Sequence, residues 1–349
     1  MATAHAPDRP PSVPQDVVVT WPDYDADGEH LGRALTRAGL SLRLAPKLGA
    51  RSAREVRALV QGASGAIVST DPFDAQVLAA SPDLRVIARV GVGVDSIDVD
   101  AATVHGVAVT ITPGANEATV ADHTVGLMLA VLRRVCEHDS GVRRGRWNRT
   151  GEHTPWLLSG STVGLVGFGH IGRTVARRLA GFDVRVLAAD PIAPRDAAIA
   201  AVSLDELLAV SDVVSLHVPL QPGTRGLIGA RELALMPSHA ILVNTARGGI
   251  VDEDALVRAL ERGRLRGAAL DVFEEEPPRA SALLALPNVV LSPHNAGLSI
   301  PSIEEMTRRA TSSVIEVMRG AVPEHLANPL VLEHAAFSGA PVAARGAGG

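Results

Sequence analysis

Short apolar runs alternate along this chain with longer segments whose apolar positions recur every three or four residues. Runs of the first kind fit strands covered on both faces, and segments of the second kind fit helices with one buried stripe. Strands are predicted at 16–21 (DVVVTW), 41–45, 65–69 (GAIVS), 85–90 (RVIARV) and 107–112 (VAVTIT). Helices are predicted between them at 28–38, 53–61, 73–80 and 98–105. The second half repeats the alternation, with strands at 162–167, 184–189, 212–217, 240–245, 266–272 and 288–292 and helices at 171–180, 203–210, 230–236 and 252–262. Ser203 and Glu206 have capping-box spacing, and Gly263 stands where a helix should stop.

Regular strand–helix alternation implies right-handed βαβ units and doubly wound parallel sheets. Two such domains are expected. A long helical pattern at 300–319 follows the last strand of the second set. It is expected to return to the first domain, which is then discontinuous: 16–115 with 298–332, around a second domain at 116–297. The Pro-rich stretch 1–15 reads as a disordered arm and the Ala/Gly-rich stretch 333–349 as a tail.

Composition narrows the classes. The 349 residues are 46% hydrophobic, enough for buried cores, and only 3% aromatic. A net charge of −5 gives no reason to expect nucleic acid. The one cysteine, Cys136, excludes an internal disulfide and a cysteine zinc site, and is expected to be structural. The His and Glu residues show no H-E-x-x-H pattern, so no metal is expected. Residues 1–15 lack the apolar core of a signal peptide, and the most apolar stretch, 124–132, is too short to span a bilayer. A cytoplasmic location without membrane contact is the expectation.

The strongest local signal is VGLVGFGHIG at 163–172. Gly167, Gly169 and Gly172 form G-x-G-x-x-G between a strand and a helix, with His170 and Ile171 inside the motif. The first glycine permits the turn, the second lets backbone approach a pyrophosphate, and the third lets helix pack on strand. The helix N-terminus offers free N–H groups to phosphate. Asp190 ends the next strand, where an acid binds the adenosine ribose and repels a 2′-phosphate. The predicted cofactor is NAD. A second pair, Gly91 and Gly93 in RVGVGVD, lacks a third glycine. Its backbone N–H groups fit a carboxylate, and a plain turn fits the spacing equally well.

Three residues capable of acid–base and anion chemistry follow successive strands. Arg247 lies in VNTARGGIVDEDAL, Glu276 in ALDVFEEEPP and His294 in LSPHNAG. Ligands of open α/β sheets bind at these carboxyl ends. Singly, each has a plain structural reading as a surface arginine, a solvated acid or a turn histidine. Together with NEATVADHTVGLMLAVLRR at 116–134, which is similar to a family interdomain helix, these motifs resemble the D-isomer-specific 2-hydroxyacid dehydrogenases over about 16–330.

The resemblance implies an α/β protein with a Rossmann NAD-binding domain and a discontinuous flavodoxin-like substrate domain. It implies an oxidoreductase that interconverts a small 2-oxo acid and its D-2-hydroxy acid, with a homodimer as partner state. By resemblance, Arg247 binds the substrate carboxylate and carbonyl oxygen, His294 is the acid/base, and Glu276 pairs with it. Thr245 and Ala246 line the cofactor site, Asp271 lies beside the nicotinamide, and Val92, Gly93 and Arg89 contact substrate. A carboxylate beside an imidazole favours the imidazolium, so one histidine can serve both directions. Phosphate-carrying relatives often have an arginine where this chain has Ser69, which points to an unphosphorylated substrate. The family also resembles NAD-sensing corepressors, an alternative that an intact triad does not exclude. The apolar helix at 118–135 is expected to present a dimer face.

Overall fold

The computed structural model describes residues 15–24, 31–47, 49–192, 199–279 and 281–337. Except for Gln15, the arm expected at 1–15 lies outside them. The described residues form two compact units, one running to Ala115 and resuming at Ile300, the other spanning Asn116–Ser299.

The first unit runs β1 (Asp16–Val19), α1 (Leu31–Arg37), β2 (Ser41–Leu44), α2 (Ala53–Leu59), β3 (Gly65–Val68), α3 (Ala75–Ala79), β4 (Val86–Arg89), α4 (Val99–Val104) and β5 (Ala108–Thr110). Its sheet is parallel with order β2-β1-β3-β4-β5, the flavodoxin-like winding. Every residue of β3 is buried, so the sheet is covered on both faces. Helix starts are set locally: Ser52, Asp74 and Asp98 each accept a hydrogen bond from a first-turn N–H.

The second unit runs α5 (Glu117–Leu132), α6 (Val135–Arg143), β6 (Thr162–Val166), α7 (His170–Leu179), β7 (Arg185–Ala189), β8 (Ala200–Ala201), α8 (Leu204–Val210), β9 (Val213–Leu216), α9 (Ala230–Leu235), β10 (Ile241–Asn244), α10 (Glu253–Glu261), β11 (Gly267–Leu270) and β12 (Val289–Leu291). The order β12-β11-β10-β9-β6-β7-β8 is again parallel. The winding reverses beside β6, which puts the Rossmann switch point at the glycine loop. The predicted Ser203–Glu206 capping box forms, and Gly263 adopts φ +62° after α10. The chain then enters α11 (Ile300–Met318), whose Met306, Ala310, Val314 and Val317 pack with Val17, Val19 and Ile67 in the first unit's core.

Several elements differ from the sequence reading. The tail expected from 333 is structured as far as Phe337, in a short 3-10 turn, because that aromatic ring is buried in the first unit's core. Helix α6 was not predicted: it has no buried residue, so no apolar period marks it. Cys136 is exposed on it, so it is not a structural core thiol. The apolar side of α5 is buried within its own unit through Ala121, Val125, Leu127, Met128 and Leu132, leaving it little spare apolar face. Among the described residues, no helix is long and apolar enough to cross a membrane.

The packing of β6 on α8 depends on a missing side chain. A Cβ on Gly164 would lie 2.3 Å from Leu207 Cδ2. Leu207 is fully buried against that strand. Leu207→Ala is expected to reduce the unfolding free energy by about 2–5 kcal/mol in urea titration. A change within about 0.5 kcal/mol, as at surface sites, would contradict the packing.

Candidate active site

The glycine loop is built by steric exclusion. Gly167 has φ +93°, and a Cβ there would fall 2.7 Å from the His217 backbone. A Cβ on Gly172 would meet Gly167 O at 2.4 Å, so only glycine lets α7 start this close to β6. Gly169 is different: a Cβ there would meet nothing within 4 Å. Gly169 is the N-cap residue of α7, so the helix start has no side-chain cap. Its first N–H groups therefore lack partners within the helix, as a pyrophosphate site requires. His170 opens the helix with its side chain 78% exposed, 3.7 Å from Glu117. Ile171 packs partly into the core. Asp190 accepts the Phe168 N–H at 2.7 Å and the Ile192 N–H at 2.8 Å. Its oxygens retain lone pairs for ribose hydroxyls. These residues fit NAD.

Parallel register then aligns the ends of β10, β11 and β12, pairing Asn244 with Leu270 and Leu270 with Leu291. The three loops beyond them carry Arg247, Glu276 and His294. Buried Asn244 shapes the first by donating to Arg247 O and accepting the Ala246 N–H. Arg247 Nη1 donates to Ala246 O at 2.7 Å. Thr245 is buried, its hydroxyl 2.9 Å from that of Thr124. Gly248 permits the first two loops to touch, since a Cβ there would lie 1.8 Å from Phe273 O.

His294 and Glu276 form a direct pair, Nδ1 to Oε2 at 2.6 Å, each about one-third exposed. Glu276 Oε1 accepts the Phe273 N–H. Burial pushes the Glu276 carboxyl up. The His294 hydrogen bond and charge, the Phe273 N–H and the Arg247 charge outweigh it and hold it below its ordinary value. The carboxylate is therefore ionised and leaves the imidazole's Nε2 edge for another partner.

Asp271 is fully buried. Its carboxylate accepts from Ser292 Oγ (2.6 Å), Asn295 N (3.0 Å) and Ala296 N (2.8 Å), while its carbonyl accepts the His294 N–H (2.7 Å). In this structure it organises the histidine loop, a task that the sequence reading did not assign to it.

The first unit's Gly91–Gly93 loop is likewise braced. Gly91 has φ +139° and donates to Thr112 Oγ1. The Arg89 guanidinium turns back onto its own loop, donating to Gly93 O at 3.0 Å and to Val90 O. Arg89 thus shapes the loop, beyond any direct contact with substrate. Val92 is exposed, and the N–H groups of Val92 and Gly93 donate to no described residue.

His217 was missed. It follows β9 in LHVP and touches the glycine loop through its backbone, with its Nε2 3.0 Å from Ser215 Oγ. Burial pushes its imidazole down to about 4, so it is neutral at neutral pH. The strand-end rule that singled out Arg247 and His294 applies equally to it.

Known proteins share the sequence pattern and the fold. Residues 125–296 match the family model described as D-isomer specific 2-hydroxyacid dehydrogenase, NAD binding domain. A glyoxylate reductase from Korarchaeum cryptofilum is 45% identical over 273 residues, covering 76% of this chain and 82% of that protein. A solved structure from Thermus thermophilus superposes with a TM-score of 0.82 at 40% identity, covering 89% of this chain and 99% of the other. A D-lactate dehydrogenase from Aquifex aeolicus, solved with NAD and lactic acid, gives a TM-score of 0.78 at 29% identity, covering 89% and 98%. The chain belongs to the D-isomer-specific 2-hydroxyacid dehydrogenase family. It is an NAD-dependent oxidoreductase.

Two tests follow from the geometry. Gly248→Ala is expected to force the Arg247 and Glu276 loops apart, reducing kcat and destabilising the fold by about 1–3 kcal/mol or more. Wild-type kinetics and Tm in that variant would refute the close approach. Glu276 has a folded-state pKa below its unfolded value, so its stabilisation is complete above about 4.3 and is lost as pH falls through the lower folded value. Glu276→Gln is expected to have a lower Tm than wild type near neutral pH, with the gap narrowing as pH falls below about 4.3. A gap independent of pH would contradict this.

Proposed function

We propose that the chain reduces a short, unphosphorylated 2-oxo acid to its D-2-hydroxy acid, with His294 as the acid/base. The observation that carries this reading is the 2.6 Å His294–Glu276 pair beside the Arg247 loop. NAD, when bound, would supply or accept the hydride. Glu276 holds Nδ1 of His294, so the proton given to the carbonyl oxygen leaves from Nε2. In the oxidative direction, the same nitrogen takes the hydroxyl proton. Arg247 offers the fork that a carboxylate and carbonyl oxygen require, and an ammonium cannot reproduce it. The N–H groups of Val92 and Gly93 are of the kind that hold a carboxylate. Ser69 stands where phosphate-binding relatives often have an arginine, and the relative that is a glyoxylate reductase supports a short substrate.

The protein is expected to work as a homodimer built by its nucleotide unit. The support comes from the stretch after α5 rather than from α5 itself. Val135, Val142, Trp147, Trp156 and Leu157 are exposed there, Trp147 at 73%. So much apolar surface in one segment is unusual for a monomer, and a second copy is its proposed cover.

Oxidation of NADH with glyoxylate, hydroxypyruvate and 3-phosphohydroxypyruvate tests the catalytic reading. The unphosphorylated acids are expected to have the higher kcat/KM, and a tenfold advantage for the phosphorylated acid, about 1.4 kcal/mol, would overturn that preference. His294→Ala is expected to lower kcat by about 10²–10⁴ while NADH still binds. Full activity in it would remove His294 from the mechanism. Light scattering at micromolar concentration is expected to give a dimer, and Trp147→Glu a monomer; a wild-type monomer would defeat the assembly.

A further inference from the structure

Helix α5 touches the two loops that carry the chemistry through consecutive side chains. His123 Nε2 lies 3.0 Å from Ser292 Oγ, on the loop that holds His294. Thr124 Oγ1 lies 2.9 Å from Thr245 Oγ1, on the loop that holds Arg247. We propose that His123 and Thr124 are positioning residues that set the His294 and Arg247 loops in register with each other. This inference rests on the catalytic reading above.

The direction of each hydrogen bond follows from proton count. The Ser292 hydroxyl has one proton, and it goes to Asp271 Oδ1 at 2.6 Å. Ser292 Oγ is then an acceptor toward His123, whose Nε2 must carry the hydrogen. The same nitrogen lies 3.6 Å from Asp271 Oδ1, so its N–H dipole also lies beside the buried carboxylate. Thr124 donates its own proton to Val120 O at 2.7 Å, so the Thr245 hydroxyl donates to Thr124. The outer link is thus fixed in direction on both arms.

The loops need such a hold. His294 has φ +52°, a left-handed conformation that histidine seldom takes, and it persists only where neighbours over-determine it. Asp271 supplies most of that determination, and His123 and Ser292 complete its shell from the helix side. Thr245 precedes Arg247 by two residues and is buried, as is Thr124. Because His123 and Thr124 are adjacent on one helix, the two anchor points cannot drift independently. Catalysis that depends on a guanidinium and an imidazole acting on one small molecule is sensitive to such drift.

The test uses the full-length chain with NADH and glyoxylate. His123→Leu is expected to lower kcat about tenfold to a hundredfold, with a raised solvent isotope effect because proton transfer from a misplaced His294 becomes limiting. KM for NADH should stay within about threefold, since the change spares the glycine loop. Thr124→Val is expected mainly to raise KM for glyoxylate, through the Arg247 loop. His123→Gln keeps an N–H at similar reach and Thr124→Ser keeps the hydroxyl, so each should recover most of the loss. His123→Asn, polar but too short to reach Ser292, should not, and it separates positioning from folding if the leucine variant is unstable. Wild-type kinetics in His123→Leu and Thr124→Val, or losses that Gln and Ser fail to recover, would overturn the proposal. His294→Ala is measured alongside. If it is fully active, the catalytic reading itself fails. If it is crippled while His123 and Thr124 variants behave as wild type, only the positioning claim fails.

Discussion

The buried carboxylate of Asp271 is the interaction on which the histidine side of the site depends. A desolvated carboxylate is strongly unfavourable unless donors surround it. Here the donors are the Ser292 hydroxyl and the N–H groups of Asn295 and Ala296. Satisfying that charge forces the chain after β12 into one path, and the path requires the left-handed backbone at His294. The imidazole then points Nδ1 at Glu276. A change at Asp271 would therefore act first through geometry, by freeing the loop, and only then through charge.

Glu276 shows how balanced the local electrostatics are. Burial alone would favour its neutral form, and its partners reverse that outcome. The result depends on three loops staying close, and Gly248 is what lets the first two approach. The cofactor side follows a different logic. There the fit comes from absent side chains at Gly167, Gly169 and Gly172, and from an acid whose two oxygens already brace the loop. One half of the site is held by charge satisfaction and the other by steric exclusion.

Much of this was legible in the sequence because it follows local rules. Period and run length located most strands and helices. The strand-end rule singles out Arg247, Glu276 and His294 from the sequence alone. What escaped has physical causes. Helix α6 buries nothing, so it leaves no apolar period. Strand β8 is two residues long. Phe337 anchors a segment whose Ala/Gly composition reads as tail, because composition averages over a single aromatic residue. The apolar run of α5 looked like spare surface, but burial against its own sheet cannot be told from burial against a partner by periodicity. The role of Asp271 as organiser and the need for glycine at 248 depend on contacts between separate loops, which a one-dimensional pattern does not carry. That the Arg89 guanidinium also braces the carbonyls of its own loop was not legible either.

The central claim is a reaction of defined chirality at a site where His294 delivers the proton. Its most direct measurement is chiral analysis of the product formed from a prochiral 2-oxo acid such as pyruvate, with NADH as reductant. The account predicts the D-2-hydroxy acid, formed in step with NADH oxidation and nearly abolished in His294→Ala. Formation of the L acid, a racemic product, or D acid at an undiminished rate in that variant would contradict it.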